Sequence, residues 1–242
     1  MAKIVVAKSA GFCFGVDRAV KIVYDELKKH KTATLGPIIH NKSVVEDLKS
    51  KGVRVVNSVD ELNPDECVII RSHGVGADVY KKLEERGISY VDATCPFVAK
   101  IHSIVKEKCA QGFEILIAGD KKHPEVEGIV GHCLQSAHVF KDDEELKNFF
   151  AENPEILQKK VAIVAQTTYN IKIWDKCIQI AKEFCGSPQI YDTICNATSN
   201  RQKEAEELAK ASDVMVIIGG KDSSNTIKLY DVCSQYCKCY HI

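Results

Sequence analysis

Short apolar runs alternate with longer stretches of helical periodicity along the whole chain. Val68-Ile69-Ile70, Ile115-Leu116-Ile117-Ala118, Val161-Ala162-Ile163-Val164-Ala165 and Val214-Met215-Val216-Ile217-Ile218 are unbroken by polar residues and have strand length. Continuous runs of this kind suit strands covered on both faces, so the alternation predicts parallel α/β architecture. The polar residues of interest fall where the runs end. The first third gives Leu35-Gly36-Pro37-Ile38-Ile39-His40-Asn41, Arg71-Ser72-His73-Gly74, and then Val91-Asp92-Ala93-Thr94-Cys95. The second gives Gly119 leading to His123-Pro124-Glu125, then Gln166-Thr167-Thr168, and then Tyr191-Asp192-Thr193-Ile194-Cys195.

The unit is therefore two strands ending in polar loops and a third ending in a cysteine. This predicts three pseudo-symmetric α/β lobes with small, mainly parallel sheets around a central site, at residues 1–95, 96–194 and 195–242. Ligands of open α/β sheets bind beyond the carboxyl ends of the strands, so lobes facing inward would surround one cavity with these loops. The third lobe opens with Val214 to Ile218 and Ser223-Ser224-Asn225, and closes with a strand at 238–242. Against the pattern of the other two it lacks at least one strand and one helix. A first strand is expected at residues 3–7, docked on a later lobe.

Charge narrows the partners. Lys plus Arg and Asp plus Glu number 33 each, so no overall field favours nucleic acid or an anionic membrane. The N-terminal apolar stretch is too short for a signal peptide, and no run would span a bilayer. Eleven cysteines without an export signal point to a reducing cytoplasm rather than a disulfide framework.

Three of those cysteines are the candidates for chemistry; buried core packing is the default for them, and their recurrence at equivalent points of the repeat is what favours a functional reading. Cys13, Cys95 and Cys195 each sit where a helical pattern begins, and the last two are one hundred residues apart in the same frame. A helix N-terminus favours thiolate, the form that binds metal. No two of the three have the close spacing of a zinc pair, whereas iron–sulfur ligation suits them. Three thiolates leave one iron of a four-iron cluster open to a substrate oxygen.

His40, His73, His123, Thr167, Thr168, Ser223, Ser224 and Asn225 offer neutral donors at strand ends, suited to phosphate oxygens. Glu125 is the candidate proton donor, its carboxyl raised in a closed site near an anionic ligand. Glu127 reads as a solvated carboxylate, and Thr198 to Gln202 as a polar helix start. Cys233, Cys237 and Cys239 read as core packing, as do Cys67, Cys109, Cys133, Cys177 and Cys185.

In this order, these motifs resemble the LytB/IspH family of 4-hydroxy-3-methylbut-2-enyl diphosphate reductases. The pieces that carry the resemblance are Ala10 to Val16, Gly36 to Asn41, Arg71 to Gly74 and Asp92 to Pro96. His123 to Val126, Gln166 to Thr168, Ile194-Cys195 with Thr198 to Gln202, and Ser223 to Asn225 complete it. The resemblance implies a [4Fe-4S] cluster on Cys13, Cys95 and Cys195, with one iron not bound by cysteine. It implies a substrate pocket of His40, His73, His123, Thr167, Thr168, Ser223, Ser224 and Asn225, with Glu125 in the proton relay. The implied reaction is reductive dehydroxylation of an allylic diphosphate to isopentenyl and dimethylallyl diphosphate, the last step of the non-mevalonate isoprenoid route. Ferredoxin or flavodoxin is the implied electron donor. The family's last segment, with a loop of Ala-Gly-Ala-Ser type, has no counterpart in these residues. Two rivals remain at this point: a three-cysteine lyase or synthase resembling quinolinate synthase, and a truncated cluster-binding chain without turnover.

Overall fold

In the computed structural model, which describes residues 3–133 and 137–242, the first helix starts directly behind Cys13. This helix, α1 (Phe14–Leu27), presses Ala19 and Val23 against a four-stranded sheet. The sheet contains β1 (Lys31–Leu35), β2 (Arg54–Val56), β3 (Glu66–Ile70) and β4 (Tyr90–Asp92), all parallel, in the order β2-β1-β3-β4. Side chains of a strand alternate between faces. Cys67 and Ile69 accordingly meet α1 and Leu48 of α2 (Lys42–Ser50), while Val68 and Ile70 meet Leu83 of α3 (Ala77–Glu85). Both faces are covered, which is why β3 carries an unbroken apolar run.

The second sheet repeats this plan with β5 (Glu114–Ala118), β6 (Ala137–Phe140), β7 (Val161–Ala165) and β8 (Gln189–Ile190), in the order β6-β5-β7-β8. Ile115, Ile117, Ala162 and Val164 pack on α4 (Pro96–Ala110) and α5 (Pro124–Val130) through Ile101, Val105 and Val126. Leu116, Ala118, Ile163 and Ala165 pack on α6 (Asp143–Glu152) and α7 (Ile171–Phe184) through Leu146, Phe150 and Trp174. In both sheets the chain leaves the central pair in opposite directions. The loops after β1 and β3, and after β5 and β7, therefore flank a topological switch point, where such sheets bind ligands.

The third sheet contains β9 (Val214–Ile217) paired in parallel with β10 (Lys238–His241). The helices α8 (Asn196–Lys210) and α9 (Ser224–Cys233) cover one face through Ala205, Ala209 and Cys233. On the other face Val214 and Val216 are 48% and 52% exposed, so β9 is covered on one side only. No helix among the described residues is long and apolar enough to cross a membrane. We propose lobe boundaries at 95/96 and 194/195, because each sheet draws its strands from one such segment.

Two expectations need correction. Residues 3–7 form no strand: Ile4, Val5 and Val6 are exposed, with no backbone ladder among the described residues. The segment is tied down by its polar end instead. The amides of Lys8 and Ser9 donate to the Glu204 carboxylate, and Arg201 donates to the carbonyls of Ser9 and Gly11, so it docks on α8. The sheets also gain β2 and β6, which the repeat did not reveal. These are edge strands of three and four residues, with Arg54 and His138 inside them, and an edge strand needs no long apolar run.

Distant segments of the chain approach closely where side chains are missing. A Cβ on Gly15 would lie 2.6 Å from the Cys95 sulfur, and one on Gly220 would overlap the His40 carbonyl oxygen. The second contact joins the loop after β9 to the loop after β1. Gly220→Val should force them apart and destabilise the fold by about 1–3 kcal/mol, the usual range for overpacking. Denaturant unfolding checks this, and Gly186→Val is the control, since a Cβ there meets open space.

Candidate active site

Three helices begin at one cavity. Cys13, Cys95 and Cys195 are the N-cap residues of α1, α4 and α8, in extended backbone just ahead of the first turn. Pro96 favours the start of α4, because the first helical position has no intrahelical use for an N–H. All three thiols line a cavity of about 290 Å³, together with His40, His73, His123, Glu125, Thr167, Thr168, Ser223, Ser224 and Asn225. Every residue expected at the site thus lines one cavity.

The Cys195 sulfur accepts from the Thr198 amide at 3.4 Å and lies 3.1 Å from the Thr198 hydroxyl. Burial pushes the Cys95 thiol up, the amides of Phe97 and Val98 pull it back, and neighbouring Cys13 and Cys195 push it up further. The net direction is upward, so the expectation that a helix start alone would favour thiolate does not hold for Cys95. Burial and two like-charged neighbours outweigh the amides. A metal among the three sulfurs would reverse that balance, because its charge favours deprotonated ligands. The donor set, three thiols on separate helix starts, fits an iron–sulfur cluster. Cys233 lies in the core of the third sheet, Cys237 and Cys239 pack against it partly buried, and none of the three lines the cavity.

Glu125 sits in the first turn of α5 and is only 2% exposed. Its carboxylate accepts from the Thr167 amide at 2.6 Å and from the Thr167 hydroxyl at 2.7 Å. Burial raises its pKa to about 7, against the opposing pull of both Thr167 donors. The first cause is desolvation of a carboxyl closed off from water. Glu127, on the same helix, is exposed.

His40, His73 and His123 form a tight group, with ring centroids 4.5, 5.4 and 5.5 Å apart. Burial pushes all three below the ordinary histidine value: His123 to about 4, and His73 well below it, with Arg71 contributing to each. All are neutral at pH 7. Their ring nitrogens are close enough to hold a metal ion. The His123 tautomer argues otherwise, because its Nδ1 accepts from the Glu125 amide at 3.1 Å. Its proton is therefore on Nε2, which makes it a donor, suited to an anion and unsuited to a metal. His40 Nε2 and His73 Nδ1 are buried without partners. Across the cavity Thr168 Oγ lies 2.8 Å from Ser224 Oγ, and Gln166 donates to Thr168 at 3.1 Å. Ser223 has a structural task as well, since its hydroxyl caps α9 by accepting from the Thr226 amide.

The segment Thr198 to Gln202 does far more than open a helix. Thr198 holds Cys195, and Arg201 holds the loop leading to Cys13. Gln202 bonds the Ile171 amide and the Tyr169 carbonyl, fixing the turn behind Thr168. These bonds span up to 192 residues, so no local pattern announces them. Asn41, which caps α2, also lines the cavity, as do Phe12 and Phe97 at 50% and 44% exposure.

Residues 4–242 match a family model described as LytB protein. The chain is 46% identical over 246 residues to a protein of Caldanaerobacter subterraneus subsp. tengcongensis named 4-hydroxy-3-methylbut-2-enyl diphosphate reductase, covering 99% of this chain and 83% of that one. A Clostridioides difficile protein of the same name is 45% identical, with 94% and 81% covered. A solved structure titled (E)-4-hydroxy-3-methyl-but-2-enyl diphosphate reductase, the terminal enzyme of the non-mevalonate pathway, is 38% identical, with a TM-score of 0.72. It covers all of this chain and 86% of its own. The Plasmodium falciparum E-1-hydroxy-2-methyl-but-2-enyl-4-diphosphate reductase superimposes with a TM-score of 0.88 at 25% identity, covering 96% of this chain and 73% of its own. With the motifs, the fold and these likenesses in agreement along the full sequence, the chain belongs to the LytB family.

Proposed function

We infer that this protein is a 4-hydroxy-3-methylbut-2-enyl diphosphate reductase, an iron–sulfur oxidoreductase. It converts (E)-4-hydroxy-3-methylbut-2-enyl diphosphate to isopentenyl and dimethylallyl diphosphate with two electrons and two protons. The observation that carries this reading is the convergence of Cys13, Cys95 and Cys195 with a buried Glu125 in one cavity.

The three cysteines would hold a [4Fe-4S] cluster that has one iron without a cysteine ligand. When bound, such a cluster supplies electrons and an open coordination position. The chain's own residues do the rest. His123 donates from Nε2, and the hydroxyls of Thr168, Ser223 and Ser224 with the Asn225 amide line the same space, giving a diphosphate several donors. His40 and His73 add further imidazole nitrogens to it. Glu125, with its pKa near 7, holds a proton at neutral pH and can release it, as a general acid must. Thr167 orients that carboxyl through two bonds. Phe12 and Phe97 add apolar surface to the lining beside the thiols. Electrons would come from a soluble one-electron carrier such as ferredoxin or flavodoxin in the cytoplasm.

Electron paramagnetic resonance on the anaerobically reconstituted, reduced protein tests this reading. The signal should change on addition of the allylic diphosphate, and an indifferent signal would exclude the reductase. Glu125→Gln should keep that substrate-induced change while turnover falls by about 10²–10⁴-fold, the range for a lost general acid. Equal loss of binding and turnover would make Glu125 a structural residue.

A stability measurement checks Glu125 independently of turnover. A buried carboxyl whose folded pKa is raised binds more protons folded than unfolded between pH 4.5 and about 7. Its contribution to stability therefore falls as pH rises through that window, by about 3 kcal/mol in all. Histidines held neutral have the opposite slope, so the difference between wild type and Glu125→Gln is the informative quantity. Wild type should lose stability relative to the variant from pH 4.5 to 7, and parallel curves would place Glu125 in an ordinary solvated environment.

A further inference from the structure

A diphosphate ester brings several negative charges, yet the side chains that would receive it are neutral. His40, His73 and His123 are uncharged at pH 7, and the facing groups are hydroxyls and an amide. Arg201 lines the cavity, but its guanidinium donates to the carbonyls of Ser9 and Gly11 at 3.0 and 2.6 Å. An anion drawn out of water without compensating charge is strongly disfavoured.

Arg71 is close enough to act electrostatically on all three imidazoles. It follows β3, two residues before His73, and its guanidinium rests on Gly36 at the end of β1. Gly36 has φ +73°, and a Cβ there would stand 2.6 Å from Arg71 Nη1, so the backbone is shaped around the guanidinium. Arg71 Nε is buried without a partner, and the side chain forms no ion pair or hydrogen bond among the described residues. Its field reaches His40, His73 and His123 alike. The other charges facing this group are Glu127 toward Arg71, Asp222 toward His40 and Asp120 toward His123. None of these carboxylates bonds the guanidinium.

We propose that Arg71 is a positioning residue that supplies, through the neutral histidines, the positive charge balancing the substrate's diphosphate. This rests on the functional reading above and adds the source of its anion selectivity. A guanidinium paired to a protein carboxylate would have its charge cancelled. Arg71 keeps its charge, and it also keeps the imidazoles deprotonated, so that each presents one donor and one acceptor rather than a diffuse cation.

The test measures inorganic pyrophosphate binding to the reconstituted protein by calorimetry at pH 8 and pH 6, with Arg71→Met, Arg71→Gln and Arg71→Lys. A lost interaction with a charged group predicts at least about tenfold weaker binding for Met and Gln at pH 8. The deficit should shrink at pH 6 as His40 takes up a proton that the arginine had repelled, and Lys should stay within a few-fold of wild type at both pH values. Imidazole titration by NMR without ligand should show His40 and His123 with raised pKa values in the Met and Gln variants. Unchanged binding at pH 8, or an equal deficit at both pH values with unmoved imidazoles, overturns the proposal. Should Met and Gln both fail to fold, an unmoved His123 titration in Arg71→Lys alongside tenfold weaker binding also overturns it, because charge alone would then not suffice. A wild-type protein that ignores pyrophosphate overturns the functional reading as well, so the two failures are distinguishable.

Discussion

Three thiols from distant parts of the chain must stand at one point, and most of the architecture serves that requirement. Each cysteine is fixed by the switch from extended backbone to helix, which leaves it at an N-cap beside unpaired amides. Burial, with smaller contributions from Cys13 and Cys195, pushes the Cys95 thiol up, so without a metal no charge attraction draws the sulfurs to one point. The contacts between segments must therefore hold the sulfurs together. Gly15 allows α1 to meet the Cys95 sulfur, and Arg201 anchors the loop before Cys13 onto the helix that Cys195 caps.

The proposed proton donor and the proposed substrate donors are set by the same logic. The short helix α5 places His123 and Glu125 together, and the Glu125 amide selects the His123 tautomer. Thr167, from the neighbouring strand end, holds the Glu125 carboxyl. One strand-end loop thus fixes a donor for the anion while the next tunes the acid, and burial supplies the energy that raises its pKa. The histidine group stays neutral for the same reason, with Arg71 reinforcing it.

Much of this was legible in the sequence because buried parallel strands read as unbroken apolar runs, and functional loops follow them. Cys95, Cys195, His73 and Glu125 stand at or just beyond the ends of such runs, and all four line the cavity. The edge strands Arg54–Val56 and Ala137–Phe140 escaped because an edge needs little apolar surface. Ile4-Val5-Val6 misled for the converse reason: apolar composition permits a strand, but pairing requires a partner, and here Lys8 and Ser9 are held by Glu204 instead. Arg201 and Gln202 act across long separations that no local pattern records. Arg71 stood within a recognised motif, yet its significance is a missing partner, which only coordinates reveal.

The central claim is that Cys13, Cys95 and Cys195 together, and no other cysteine, hold a cluster with one distinct iron. Mössbauer spectroscopy of protein reconstituted with iron-57 tests it most directly. The account predicts three irons in tetrahedral sulfur environments and one distinct iron whose signal alone moves when the allylic diphosphate is added. Four equivalent irons, a two-iron spectrum, or a normal spectrum after Cys13→Ser, Cys95→Ser or Cys195→Ser would contradict it.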